Sequence, residues 1–178
     1  MVRIVVDGSV AVADAVELRS IYRAVFPDHP DDRAWREEVW DRHTARPGFR
    51  LARAYADAGL VGFAYGYTGD LGQWWTDPVT SVLEPEVART WLGGHFEVVS
   101  LGVLAAARGR GTGRLLMQAL VRGLPQERLL LQTTADPADP ARRLYASEGW
   151  QVLGPGAGDH TVVMGRRGAR RPSSTSGD

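Results

Sequence analysis

The segment Arg108-Gly109-Arg110-Gly111-Thr112-Gly113-Arg114 lies between a predicted strand, residues 95–104, and a predicted amphipathic helix, residues 111–123. The first N–H groups of a helix have no partner within it, and the helix dipole makes that end positive. Glycines let a phosphate approach such N–H groups because no Cβ stands in the way. The segment therefore predicts a pyrophosphate-binding turn, with a glycine-rich turn that binds nothing as the alternative.

Two familiar phosphate-binding motifs do not fit this turn. The Walker A motif needs a lysine, and the chain has none, since all 21 of its basic residues are arginine. The dinucleotide fingerprint G-x-G-x-x-G, counted from Gly109, places Arg114 where the last glycine belongs. A nucleotide-phosphate binder of either kind is thus disfavoured.

Composition limits the classes of protein that fit. The chain has 178 residues, 44% of them hydrophobic and 24% charged, and a formal net charge of +0, as in an ordinary globular domain. The absence of cysteine excludes disulfides and thiolate metal sites, and we expect no metal. No apolar run predicts a membrane span or a signal peptide, so we expect a cytoplasmic protein without a membrane partner. We expect residues 1–165 to form one domain and residues 166–178 a disordered tail.

Neutral net charge conceals a local basic stretch. Between Glu97 and Glu127 there is no acidic residue, but there are four arginines, at positions 108, 110, 114 and 122. Such a stretch is a candidate anion site. Because the stretch is short and the whole chain is neutral, we expect no nucleic-acid partner.

The order of predicted elements defines the fold class. We predict strands at 2–6, 49–57, 60–68, 95–104, 128–135, 150–154 and 160–165, and helices at 13–25, 31–43, 111–123 and 140–147. Residues 69–93 form a long irregular insertion with a short helical piece near 84–92. This order predicts an α/β or α+β fold with one parallel pair of strands inside a mostly antiparallel sheet.

Two motifs together resemble a known family. Arg108-x-x-Gly111-x-Gly113, preceded by Leu101-Gly102-Val103, resembles the acyl-CoA motif of the GNAT superfamily of N-acetyltransferases. Ala141-x-x-Leu144-Tyr145-x-x-x-Gly149-Trp150 resembles the tyrosine-containing helix and following strand of that family. The matched region covers residues 95–153. The resemblance implies an α+β, three-layer fold with helices on both faces of a mixed, mostly antiparallel central sheet. That sheet would be splayed at a bulge, with a thioester in the gap.

The resemblance also implies acetyl-CoA as the cosubstrate and a primary amine as the acceptor of its acetyl group. Backbone groups of the central strand would hold the acetyl and pantetheine portion, and the turn would hold the pyrophosphate. Asp139 stands where the family commonly has asparagine, and it also fits as a helix cap before Pro140. The residues expected to bind acetyl-CoA are Leu101, Gly102, Val103, Arg108, Gly109, Arg110, Gly111, Thr112, Gly113, Arg114, Asp139 and Arg142. A non-catalytic acyl-CoA sensor and a transferase of a different acyl group are the alternatives.

Two residues are the catalytic candidates. By resemblance, Tyr145 is the general acid that protonates the departing sulfur; a buried core tyrosine is the alternative. Glu97 is the only acid on the central strand, where alternation places it on one face with Leu101 and Val103. We expect it to act either as the base for the amine or as a clamp for the substrate ammonium. His95 is a weaker candidate base.

The resemblance implies an acceptor site in the long insertion, where aromatic residues stand. Trp74 and Trp75 stand together in the irregular insertion, and Tyr65 and Tyr67 share one face of the predicted hairpin. Adjacent tryptophans in a polar loop are costly unless they cover something, which is an acceptor, the core or a partner chain. We expect the four residues to form the wall for a small-molecule or peptide amine, in a monomer or a homodimer.

Overall fold

Seven strands form one sheet in the computed structural model, which describes residues 1–27, 31–57 and 59–169. The strands are β1 (Arg3–Asp7), β2 (Arg50–Ala56), β3 (Gly59–Gly69), β4 (His95–Val103), β5 (Arg128–Thr134), β6 (Gln151–Pro155) and β7 (Thr161–Arg167). Their order in the sheet is β1-β2-β3-β4-β5-β7-β6. Only β4 and β5 pair in parallel within this described sheet, which confirms the predicted fold class.

Helices flank the sheet on both faces. They are α1 (Val12–Val25), α2 (Asp32–Ala34), α3 (Asp41–Thr44), α4 (Thr76–Val82), α5 (Pro85–Trp91), α6 (Thr112–Val121) and α7 (Pro140–Ser147). A π-helical segment, Trp35–Trp40, joins α2 to α3, so the single helix predicted there is wound in two ways. Asp31 caps the start of α2, as predicted, by accepting a hydrogen bond from the Ala34 amide at 2.8 Å. The insertion predicted as largely irregular contains both α4 and α5.

Three buried clusters hold these layers together. Leu18 and Ile21 of α1 pack with Trp35 against Phe63 of β3 on one face of the sheet. Residues of α6 and α7 cover the opposite face. Helices α4 and α5 cover β5 and β7 on the same face as α1. The junction between the α1 cluster and the α4–α5 cluster lies where β4 meets β5.

A bulge in β4 changes which residues share a face. Tyr65 and Gly66 of β3 pair with Ser100 and Val98 of β4, so Val99 is the extra residue. One extra residue breaks the alternation of a strand once. Val98, before the bulge, packs toward α6, and Val99 packs toward α1. Beyond the bulge, Leu101 and Val103 pack toward α6, on the same face as Val98.

The predicted shared face of the central strand is therefore wrong. Glu97 lies opposite Tyr67, which packs in the α1 cluster, and directly opposed residues occupy the same face. Leu101 and Val103 lie on the other face, because the extra residue at the bulge reverses the alternation between Glu97 and them.

The last strand extends into the predicted tail. Arg166 and Arg167 pair with Leu129 and Arg128 of β5, so these two residues belong to the sheet rather than to a disordered segment. Residues 168 and 169 follow β7, and residues 170–178, the rest of the predicted tail, lie outside the described residues. None of the described helices is long and apolar enough to cross a membrane.

Candidate active site

The sheet opens between β4 and β5. In the described structure these strands register at only two positions, Phe96 with Leu129 and Glu97 with Leu130. Bulges bend the strand that carries them, and the bulge at Val99 lies two residues past Glu97, the last residue of β4 that pairs with β5. The gap thus begins at Glu97, on the side where β4 continues toward the glycine-rich turn.

Glu97 is a buried carboxyl group at this gap. It is 5% exposed, and its Oε2 atom has no hydrogen-bond partner among the described residues. Burial raises the pKa of Glu97 to about 8, although the Arg46 guanidinium acts in the opposite direction. A carboxyl with a pKa near neutrality accepts a proton far more readily than an ordinary surface glutamate.

We expect Glu97→Gln to stabilise the fold, and to do so more strongly at pH 8 than at pH 5. The pKa of Glu97 is raised from 4.5 to about 8 on folding. Protonation of the carboxyl therefore favours the folded state, and this contribution is lost as the pH rises through about 8. Thermal melts of the wild type and the variant at both pH values measure the effect. An equal difference in melting temperature at the two pH values would contradict the buried, unpaired state of Glu97.

The weaker candidate, His95, is packed as a neutral side chain. It is fully buried, and its Nδ1 accepts a hydrogen bond from the Gly93 amide at 3.2 Å. Burial and the nearby Arg128 lower the pKa of His95 to about 4. A Cβ built on Gly69 would lie 2.2 Å from its Nε2, so the ring fills its space completely.

Tyr145 lies on the opposite face of the sheet from Glu97. Its ring packs among α6 residues and lies 6.3 Å from the ring of Trp150, and the residue is 8% exposed. Burial, followed by the charge of Asp139, raises the pKa of Tyr145 to about 12. The phenol is therefore protonated at neutral pH and is available as a proton donor. Glu97 and Tyr145 flank the opened strands from either side.

The glycine-rich turn presents a row of free amides. Across the described structure, none of the backbone N–H groups from Gly109 to Arg114 donates a hydrogen bond to the protein. Gly109 and Gly111 have φ values of 71° and 79°, which favour glycine, and a Cβ at either would point into open space. This arrangement fits the pyrophosphate predicted from the sequence.

The arginines of the turn differ in what they contact. Arg108 Nε donates to the Val103 carbonyl oxygen at 2.9 Å. Arg114 Nε lies 3.0 Å from a carboxylate oxygen of Glu148, which ties α6 to the end of α7. Arg110 is exposed and has no ion pair within the described ranges. Of the three, Arg110 is the one whose guanidinium is uncommitted.

Other predicted acetyl-CoA contacts have structural roles here. Asp139 Oδ1 accepts from the amides of Ala141 and Arg142 at 2.8 and 3.2 Å, so its carboxylate caps α7. Arg142 reaches Met164, with Nη1 3.1 Å from Sδ, and its buried Nε lacks a partner in the described structure. Thr112 is buried and donates to the Ala107 carbonyl oxygen at 3.2 Å.

Close packing explains two further glycines of the predicted set. A Cβ at Gly102 would lie 2.9 Å from the ring of Phe63, which presses this part of β4 onto the α1 cluster. A Cβ at Gly113 would lie 3.2 Å from Leu144 Cδ2, so this glycine lets α6 approach α7. Leu101 and Val103 pack toward α6, on the Tyr145 side of the sheet.

A cavity of about 430 Å³ lies on the Glu97 side of the sheet. It is lined by all four residues predicted as the acceptor wall, Tyr65, Tyr67, Trp74 and Trp75. The two tryptophans differ in exposure: Trp74 is 86% exposed at the rim, whereas Trp75 is 9% exposed and packs on α4. Trp75 Nε1 also donates to Gln132 Oε1 at 3.3 Å. Tyr65 shares a 3.0 Å hydrogen bond with His43 Nδ1.

The opposite wall of this cavity was not predicted from the sequence. Val39, Arg42 and His43 line it from the π-helical segment and α3, and Arg46 lines it from the turn after α3. The i, i+3 and i+4 spacing of Val39, Arg42 and His43 is typical of one helix face, but it does not show what that face contacts. Gln73 and Ser100 also line the cavity.

The comparisons with known proteins agree with this geometry. The model of the Acetyltransferase (GNAT) family matches residues 15–150, and the chain belongs to that family. The resemblance seen in the sequence is thereby confirmed.

Individual relatives extend the comparison. A "GCN5-like protein acetyltransferase" of Mycobacterium tuberculosis is 35% identical over 106 residues, 56% of this chain and 52% of the relative. The chain thus spans about half the length of that curated relative.

Two solved structures share the fold. The ribosomal-protein-S18-alanine N-acetyltransferase from Escherichia coli has a TM-score of 0.62 at 15% identity, over 98% of each chain. NAA60 of Arabidopsis thaliana, in complex with acetyl-CoA, has a TM-score of 0.61 at 18% identity, over 94% of this chain and 98% of its own. At these identities the likeness establishes the fold.

Proposed function

We propose that the protein is an N-acetyltransferase that transfers an acetyl group from acetyl-CoA directly to a primary amine. The observation that carries the proposal is the row of free amides from Gly109 to Arg114 beside a sheet opened at Glu97. Helix N-termini with free N–H groups bind phosphate, and the opened strands leave backbone groups for an extended ligand. Acetyl-CoA supplies both the pyrophosphate and an acyl group already activated as a thioester.

The chain's own residues divide the remaining work between the two faces. Glu97 accepts the proton of the amine from the cavity side, since its raised pKa suits a base near neutral pH. Tyr145 donates a proton to the departing sulfur from the α6 side, since its phenol is protonated. Tyr67 and Trp74 form the apolar wall along which the acceptor lies.

The experiment is a thermal melt with CoA. A ligand at about 100 times its dissociation constant stabilises a folded protein by roughly 2.7 kcal/mol. We expect CoA and acetyl-CoA to produce such a shift and pantetheine, which lacks the pyrophosphate, to lose most of it. Unchanged melting temperatures with saturating CoA would contradict the proposal.

The glycine turn provides a matched pair of variants for the same assay. Gly111→Ala places a methyl group on the predicted phosphate surface, and we expect CoA stabilisation to be largely lost. Gly123→Ala is the control, because Gly123 has a similar φ of 71° and equally open space but lies past the other end of α6. Both variants carry the same backbone strain, so equal loss of CoA binding would attribute the effect to strain instead.

A further inference from the structure

The cavity on the Glu97 side of the sheet is lined by two arginines that the proposed chemistry does not use. Arg42 lies in α3 and Arg46 lies two residues past its end, and both line the cavity. No carboxylate in the described structure lies within ion-pair distance of either. By contrast, Arg33 and Arg36 of the same helical segment each form an ion pair. The cavity therefore concentrates unpaired positive charge at one wall.

Arg46 is the more significant of the two. Arg46 is half-buried. Burial raises the pKa of Glu97 and of Tyr67, and the positive charge of Arg46 opposes that rise in both groups. Glu97 is not itself among the lining residues of the cavity, but it lies opposite Tyr67, which lines the cavity and occupies the same face of the sheet. A ligand in the cavity that turns an amine toward Glu97 can present a carboxylate to Arg46. Arginine suits this role because its planar fork matches a carboxylate.

The rest of the lining restricts the size and polarity of the ligand. The volume of about 430 Å³ is in the range of small-molecule sites. Val39, Tyr67 and Trp74 supply apolar and aromatic surface. Glu38 also lines the cavity and carries a negative charge. Because Glu38 is exposed, water and salt screen its charge more than they screen the charge of half-buried Arg46.

We propose that the acceptor carries a carboxylate next to its amine, as an α-amino acid does, and that Arg46, assisted by Arg42, binds that carboxylate. The side chain of the acceptor packs on Tyr67 and Trp74. This inference rests on the proposed acetyltransferase function. The same chemistry is offered by a free amino acid and by a peptide whose first residue is acidic.

The test compares acceptors that differ in the carboxylate alone. The probes are phenylalanine, phenylalanine amide, phenethylamine and a peptide amide beginning with aspartate, each assayed with acetyl-CoA by thiol release. Hydrogen bonds between charged groups lead us to expect kcat/KM for phenylalanine about 10- to 100-fold above that for phenethylamine. The amide is a stringent control, because its less basic amine is the better populated nucleophile at neutral pH.

Variants assign the preference to a residue. Arg46→Gln should lower kcat/KM for phenylalanine by about 10- to 100-fold more than for phenethylamine, because any effect through the pKa of Glu97 is common to both probes. Arg33→Gln is the control, because Arg33 is paired with Glu37 and does not line the cavity, and it should keep the preference intact. A loss of turnover by Arg46→Gln that is equal for all probes would overturn the proposal, because Arg46 would then act through Glu97.

The outcomes separate this inference from the proposed function. Equal kcat/KM for phenylalanine and phenethylamine would overturn the carboxylate preference and leave the acetyltransferase standing. Preference for the aspartyl peptide would support the carboxylate and identify its source as a side chain. If no probe were acetylated while another amine was, the carboxylate inference would fail and the acetyltransferase proposal would stand; if no amine of a wider panel were acetylated, both would fail.

Discussion

Tyr145→Phe lowers acetyl transfer by about 100- to 10,000-fold, the usual contribution of a general acid. The change removes the hydroxyl and keeps the ring that packs against Trp150 and α6. The melting temperature and the affinity for CoA should therefore be unaffected. The measurement is kcat with a working amine, alongside a CoA titration of the same preparation.

The matched control for this variant is Tyr55→Phe. This substitution also removes a tyrosine hydroxyl, which donates to Glu17 at 2.8 Å in the wild type. Tyr55 lies on β2, away from the opened strands. Its turnover should equal that of the wild type. The Tyr145 defect should also shrink with a thioester whose leaving thiol is more acidic. Wild-type turnover by Tyr145→Phe, with chemistry shown to limit the rate, would return Tyr145 to a packing role.

Glu97→Gln produces the second large effect, again about 100- to 10,000-fold in kcat/KM. The variant keeps the size of the side chain and cannot accept a proton. In the wild type we expect kcat/KM to rise with pH and to level off above about 8, because the base works only when deprotonated. In the variant that rise should be absent. A pH profile of both proteins measures the difference.

The same profile distinguishes the base from an ammonium clamp. A clamp that only holds the amine would, when removed, raise KM and leave kcat near its wild-type value. Glu127→Gln serves as the control, since Glu127 is exposed in the loop before β5. An unchanged pH dependence in Glu97→Gln would contradict the assignment of Glu97 as the base.

Local patterns predicted most of the fold. The glycine-rich turn, the Asp31 and Asp139 caps and the parallel pair of strands all follow from short-range signals, and the structure contains each of them. The bulge at Val99 could not be predicted in the same way. A run of apolar residues shows the same alternating pattern with or without one extra residue. The sequence therefore predicts, wrongly, that Glu97 shares a face with Leu101 and Val103.

The site was predicted less completely than the fold. The raised pKa of Glu97 depends on burial, which comes from packing by elements distant in sequence. Arg46 was not predicted because the residues that line the cavity with it lie on β3 and β4, and local spacing does not show what the segment before β2 contacts. Asp139 and Arg114, expected at the cofactor, are occupied by contacts within the protein.

The central claim is the transfer itself, and the direct measurement is mass spectrometry of the products formed from isotopically labelled acetyl-CoA and an amine panel. The account predicts equal amounts of free CoA and labelled N-acetylated amine. It also predicts that both are abolished together in the double variant of Glu97→Gln and Tyr145→Phe. Tight binding of acetyl-CoA with no acetylated amine from any acceptor would contradict it and would favour a non-catalytic acyl-CoA sensor.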